Sequence, residues 1–99
     1  MAFTNDVIDK VWQKATVVPG NDPSVYRKDE CRAWIRRDAH GDRQSPYGWE
    51  IDHIKAKAHG GTDEVSNLRP LHWENNASKQ EHRLNCVVTS KGNQNVSTT

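Results

Sequence analysis

Ninety-nine residues, 33% hydrophobic and 27% charged, leave room for one small domain with a thin core. A mean hydropathy of −0.98 and the lack of any long apolar run argue against a membrane span or a secretory leader. The net charge of +1 excludes a uniformly basic chain, so contact with nucleic acid has to come from local clustering of charge.

The chain opens with a helical signal. Thr4 or Asn5 can cap it, and Val7, Ile8, Val11, Trp12 and Ala15 recur on one face as core residues. Val17 to Pro23 breaks the helix and forms an exposed connection. Asp29 to Asp38 enters a short strand around Ala33, Trp34 and Ile35, and His40-Gly41-Asp42 turns out of it. Gln44 to Gly48 continues as loop. Trp49 to Ile54 alternates apolar and polar residues, as a half-buried strand does. Lys55 to Ser66 is a long loop, tightest at Gly60-Gly61, and Asn67 to Leu71 is the partner strand. Pro70 keeps that strand short or at an edge. Trp73 to about Leu84 reads as a helix with Ala77 and Leu84 on its apolar face. The Thr-, Ser-, Asn- and Gln-rich residues 89–99 read as a flexible tail on a domain spanning 1–88.

Cys31 and Cys86 lie 55 residues apart. A cytoplasmic location with reduced thiols is the expectation, and two buried free thiols are preferred over a disulfide or a shared zinc.

Chemistry concentrates after Trp49. Asp52 stands beside His53, Asn67 follows at an interval of 14, and Asn76 comes 9 residues after that. A carboxylate and an amide oxygen are hard ligands suited to Mg²⁺ or Mn²⁺, and Ni²⁺ also accepts oxygen. A histidine is the side chain best suited to take a proton from water near neutral pH. Taken alone, His53 is more simply a strand-end histidine bonded to backbone; beside Asp52, with both asparagines in register, the catalytic reading prevails. Lys28, Arg32, Arg36, Arg37, Arg43, Lys55, Lys57, Arg69, Lys79 and Arg83 lie in or beside this segment, among scattered acids.

The segment Gly48 to Ile54, with Gly60-Gly61, Asn67 to Leu71 and Asn76 to Lys79, closely resembles the HNH (ββα-metal) endonucleases over roughly residues 47–83. The resemblance implies an α+β fold: a two-stranded antiparallel hairpin with a long loop, then a helix. An N-terminal helix and an additional short strand would complete it. It implies that His53 is the general base, that Asp52 and Asn76 hold one divalent ion, and that Asn67 fixes the loop and thereby orients His53. Lys55, Arg69, Lys79 and Arg83 are the expected contacts to phosphates of double-stranded DNA, which position a duplex without reading its sequence. Family members often carry Cys-x-x-Cys pairs for a structural zinc. Here His72 and Asn75 fall where the second pair would stand, which argues against that zinc. His72 and His82 stay outside the ligand set, and Asn75 is the register neighbour to be told apart from Asn76. The expected activity is a metal-dependent endonuclease that nicks as a monomer with low specificity. The competing readings are a catalytically idle ββα DNA-binding or adaptor module and, behind it, a small zinc protein.

Overall fold

A computed structural model describes residues 3–81 and 83–99. Among the described residues, six short strands form three separate antiparallel pairs, accompanied by two α-helices. Helix α1 spans Asn5–Trp12 and is capped by Thr4, whose hydroxyl accepts from the Val7 N–H at 3.3 Å. Its face of Ile8, Val11 and Trp12 is buried with Ala15, Ile35, Trp49 and Leu68, and Phe3, Val7 and Ile51 close the edges. Trp12 meets Trp49 at 5.4 Å between ring centroids. The two tryptophans thus add aromatic bulk to the aliphatic side chains of a small core.

Strand β1, Tyr26–Lys28, pairs with β2, Trp34–Arg36, so the expected short strand has a partner that the sequence did not signal. Strand β3, Trp49–His53, pairs with β4, Leu68–His72, from Trp49↔His72 to His53↔Leu68. Asn67 ends a one-turn 3₁₀ segment and is not the first residue of β4. Pro70 lies opposite Ile51 in this two-stranded sheet, where every strand is an edge. Helix α2, Trp73–Ala77, follows directly, so β3, β4 and α2 run in the order strand, strand, helix.

Three further expectations are corrected. Helix α2 stops at Ala77 instead of running to about Leu84. Glu81 adopts φ of +51°, and Gln80 and Arg83 exchange backbone hydrogen bonds of 3.0 and 2.7 Å, which turns the chain out of the helical path. The supposed tail is a hairpin of β5, Val88–Lys91, and β6, Gln94–Ser97. It is sewn to the domain by Asn95, whose side chain bonds both backbone N–H and C=O of Trp34, while Trp34 Nε1 donates to the Gly92 carbonyl at 2.8 Å. The cysteines are not free: Cys31 and Cys86 form a disulfide with Cα atoms 5.5 Å apart. That bond removes the reduced-thiol argument behind the cytoplasmic expectation. Among the described residues, no helix is long and apolar enough to cross a membrane.

Candidate active site

Alternation along β3 sorts its side chains between two faces. Trp49 and Ile51 pack toward α1, while Glu50 and Asp52 face α2 and the turn beyond it. Asp52 and Glu50 are therefore neighbours on one face, and a period of two was the available signal for Glu50, which the sequence reading overlooked. Asn76 Nδ2 donates to Glu50 Oε1 at 3.0 Å, leaving the amide oxygen as its acceptor side. Arg43 grips the same carboxylate with two bonds of 2.7 and 2.9 Å. Burial alone would raise the Glu50 pKa. The hydrogen bonds from Arg43 and Asn76, with the charges of Arg43 and His40, outweigh it and hold the carboxyl below its ordinary value.

Asp52 is 5% exposed, and both of its oxygens are occupied. Arg69 Nε donates to Oδ2 at 2.8 Å and Lys79 Nζ to Oδ1 at 2.5 Å. Arg69 also reaches Glu30 at 3.1 Å, so the chain Glu30, Arg69, Asp52, Lys79 is one ion-pair network. Two of the four expected phosphate contacts, Arg69 and Lys79, are thus spent inside the protein. Lys79 lies past the end of α2, so it and Arg83 do not share a helical face. Lys55 and Arg83 are exposed; His82 lies outside the described residues.

The donors on this face are hard oxygens: the carboxylates of Asp52 and Glu50 and the amide of Asn76. Their chemistry fits Mg²⁺ or Mn²⁺. Among the described residues, no group of three or more His, Cys, Asp or Glu side chains is arranged to hold an ion. An ion at Asp52 would take the cationic place that Lys79 holds.

His53 ends β3, its backbone paired with Leu68, and the next residue, Ile54, donates its N–H to the Asn67 carbonyl at 2.8 Å. The strand stops where Asp52 and His53 diverge. His53 Nε2 lies 2.7 Å from Asp63 Oδ1, and Lys57 Nζ binds the other oxygen at 3.0 Å. The hydrogen bond to His53, then that from Lys57, holds the Asp63 carboxyl below its ordinary value. An ionised carboxylate only accepts, so His53 Nε2 carries the proton and Nδ1 has the lone pair when the ring is neutral. Asp63 lies ten residues on across a loop, and no local pattern marks it.

Asn67 stitches that loop. Its Oδ1 accepts from the Lys55 N–H at 2.8 Å, and Nδ2 donates to the carbonyls of Lys55 and Thr62 at 3.0 and 2.8 Å. Gly61 sits so close beneath the loop that an added Cβ would lie 1.7 Å from the Lys55 carbonyl oxygen.

The register neighbour Asn75 belongs to the scaffold. It is fully buried; its Oδ1 accepts from the Val87 and Val88 N–H groups, and its Nδ2 donates to Asp29 and to the Val88 carbonyl. His72 caps α2 by accepting from the Glu74 N–H through Nδ1, and Nε2 donates to the Pro46 carbonyl at 2.9 Å. At the two positions that would supply a second zinc pair, the chain has a helix cap and an amide staple.

Residues 36–82 match the model of the HNH endonuclease family. No curated protein and no solved structure matches the chain.

Proposed function

Since residues 36–82 make this chain a member of the HNH endonuclease family, we propose that it hydrolyses phosphodiester bonds of double-stranded DNA, cutting one strand per encounter with little sequence preference. The observation that carries the reading is the division at the end of β3: a histidine fixed by an ionised carboxylate on one side, and the oxygen donors of Asp52, Glu50 and Asn76 on the other. In this reading His53 Nδ1 accepts the proton of the attacking water, while Asp63 keeps the ring oriented and stabilises it once it is charged. Asn67 holds the loop that presents Asp63. Lys55 and Arg83 meet flanking phosphates, which sets register without selecting bases. One divalent ion, Mg²⁺ or Mn²⁺, held by Asp52 and Asn76 supplies positive charge to the phosphate and the leaving oxygen when bound.

A second reading, an idle DNA-binding module, is favoured by one observation: both oxygens of Asp52 are already taken by Arg69 and Lys79. Supercoiled plasmid with Mg²⁺ or Mn²⁺, with and without chelator, separates the two. Open circles that form with the metal, and vanish with chelator or with His53→Ala, are expected. Binding without cleavage in either ion would leave the idle module.

A further inference from the structure

The outer face of the β1–β2 hairpin alternates aromatic and basic side chains. Directly opposed residues of an antiparallel pair share a face, so Tyr26, Arg36, Lys28 and Trp34 stand together. Lys28 Nζ lies 4.6 Å from the Trp34 ring centroid, and the Arg36 guanidinium 5.5 Å from that of Tyr26. Tyr26 meets Trp34 and Tyr47 edge-on, at 6.1 and 5.5 Å. Together with Asn21 and Asn93 these three rings line a cleft of about 230 Å³. Trp34 is its buried floor, while Tyr26 and Tyr47 are half-buried walls.

We propose that this cleft binds an unstacked base of a single-stranded DNA segment. Its volume is below the roughly 300–1,000 Å³ of ordinary ligand clefts, enough for one planar ring and too little for a whole cofactor. Aromatic walls offer stacking, which every base accepts. The carboxamides of Asn21 and Asn93 supply donors and acceptors for a base edge. None of the lining residues is acidic, and two cations already lie on the Trp34 and Tyr26 rings, so the cleft repels a cationic guest and suits a ligand with phosphates attached. Tyr47 precedes His53 by six residues, so at about 3.3 Å per residue the cleft lies up to about 20 Å from the proposed cutting site. It would hold the strand no more than a few nucleotides from the cut. The inference rests on DNA as the partner but not on catalysis.

The test is anisotropy of a labelled oligothymidylate with the full chain in EDTA, beside a blunt duplex of equal length. Tyr47→Ala and Asn93→Asp are each expected to weaken oligothymidylate binding by about tenfold and to leave duplex binding unchanged. If Tyr47→Ala loses its fold by circular dichroism, Asn93→Asp in the exposed β5–β6 turn decides. Variants that bind the oligothymidylate as tightly as the parent, or a parent that does not bind it, overturn the proposal. A parent that binds it through the cleft yet never nicks plasmid sinks the nuclease reading alone. Nicking with unchanged oligothymidylate binding in both variants sinks the cleft alone.

Discussion

His53 Nε2 and Asp63 Oδ1 stand 2.7 Å apart, which ties a strand-end histidine to the far side of a loop held by Asn67. In the proposed mechanism the contact would give the loop a chemical task as well as a length. Asp63→Ala is expected to slow nicking, but less than the roughly 10²–10⁴-fold loss expected for His53→Ala. Asp63→Asn, which still accepts through its amide oxygen, should recover part of the rate. Long-range ¹⁵N spectra of His53 should show the Nε2-protonated tautomer in the parent and a mixture in Asp63→Ala. An unchanged tautomer would remove Asp63 from the mechanism.

Asp52 and Asn76 separate ion binding from folding. Asn76→Ala should weaken Mn²⁺ binding by calorimetry with little change in melting temperature. Asp52→Ala should also weaken it, but leaves Arg69 and Lys79, 12% and 15% exposed, without their shared anion. Arg69 keeps Glu30, so the loss in unfolding free energy is expected to fall short of the cost of about 3–5 kcal/mol for stranding a fully buried charge. Unchanged Mn²⁺ affinity in both variants would remove the two residues from the ion's shell.

The disulfide between Cys31 and Cys86 should hold a small domain together. Cys31→Ser with Cys86→Ser, or reduction of the parent, is expected to lower stability by about 2–5 kcal/mol. Denaturant midpoints with and without reductant measure it. Identical midpoints would mean that the hairpin and the Asn75 staple suffice.

Acid should act in two stages. His40 packs against Trp49, with ring centroids 4.8 Å apart; burial, then the Arg37 charge, lowers its pKa from the ordinary 6.5, against an opposing pull from Glu50. The unfolded chain therefore binds this proton first, and stability is lost as pH falls below 6.5. Glu50, held below its ordinary 4.5, adds a second loss as pH falls through that value, because its ion pair with Arg43 needs the charged carboxylate. Melting temperatures between about pH 7.5 and pH 3.5 should show both stages, and His40→Gln should lack the first. A flat profile above pH 5 would contradict the His40 assignment.

If His53 and one set of oxygen donors form the proposed site, one strand would be cut per binding event. Supercoiled plasmid should pass to open circles first, and linear DNA should accumulate later from independent nicks. Linear product at the earliest time points would point to paired protomers instead.

The helix α1, strands β3 and β4 and the start of α2 were legible because each follows a local rule. Thr4 caps, Trp49 to His53 alternates, and Pro70 marks an edge strand. What stayed hidden depends on partners distant in sequence. Strand β1 forms against β2 and, through Lys28, against Thr16, and α2 ends where Asn75 and Cys86 draw the chain back to Val88 and Cys31. The polar composition of residues 89–99 gave no hint that Asn95 would bond Trp34 across 61 residues. At the site, the types and spacing of Asp52, His53, Asn67 and Asn76 could be read directly. Glu50 could also be read, two residues before Asp52 on the same strand face, whereas Asp63 and the cations on Asp52 belong to the folded arrangement.

Cys31 precedes the family-matched residues 36–82 and Cys86 follows them, so the bond between the two closes the whole segment into a covalent ring. A protease that cleaves the exposed loop around Lys57 to Glu64 would open that ring without releasing a fragment. Both pieces would stay tethered on either side of the break, and the clipped molecule would fall apart only after reduction.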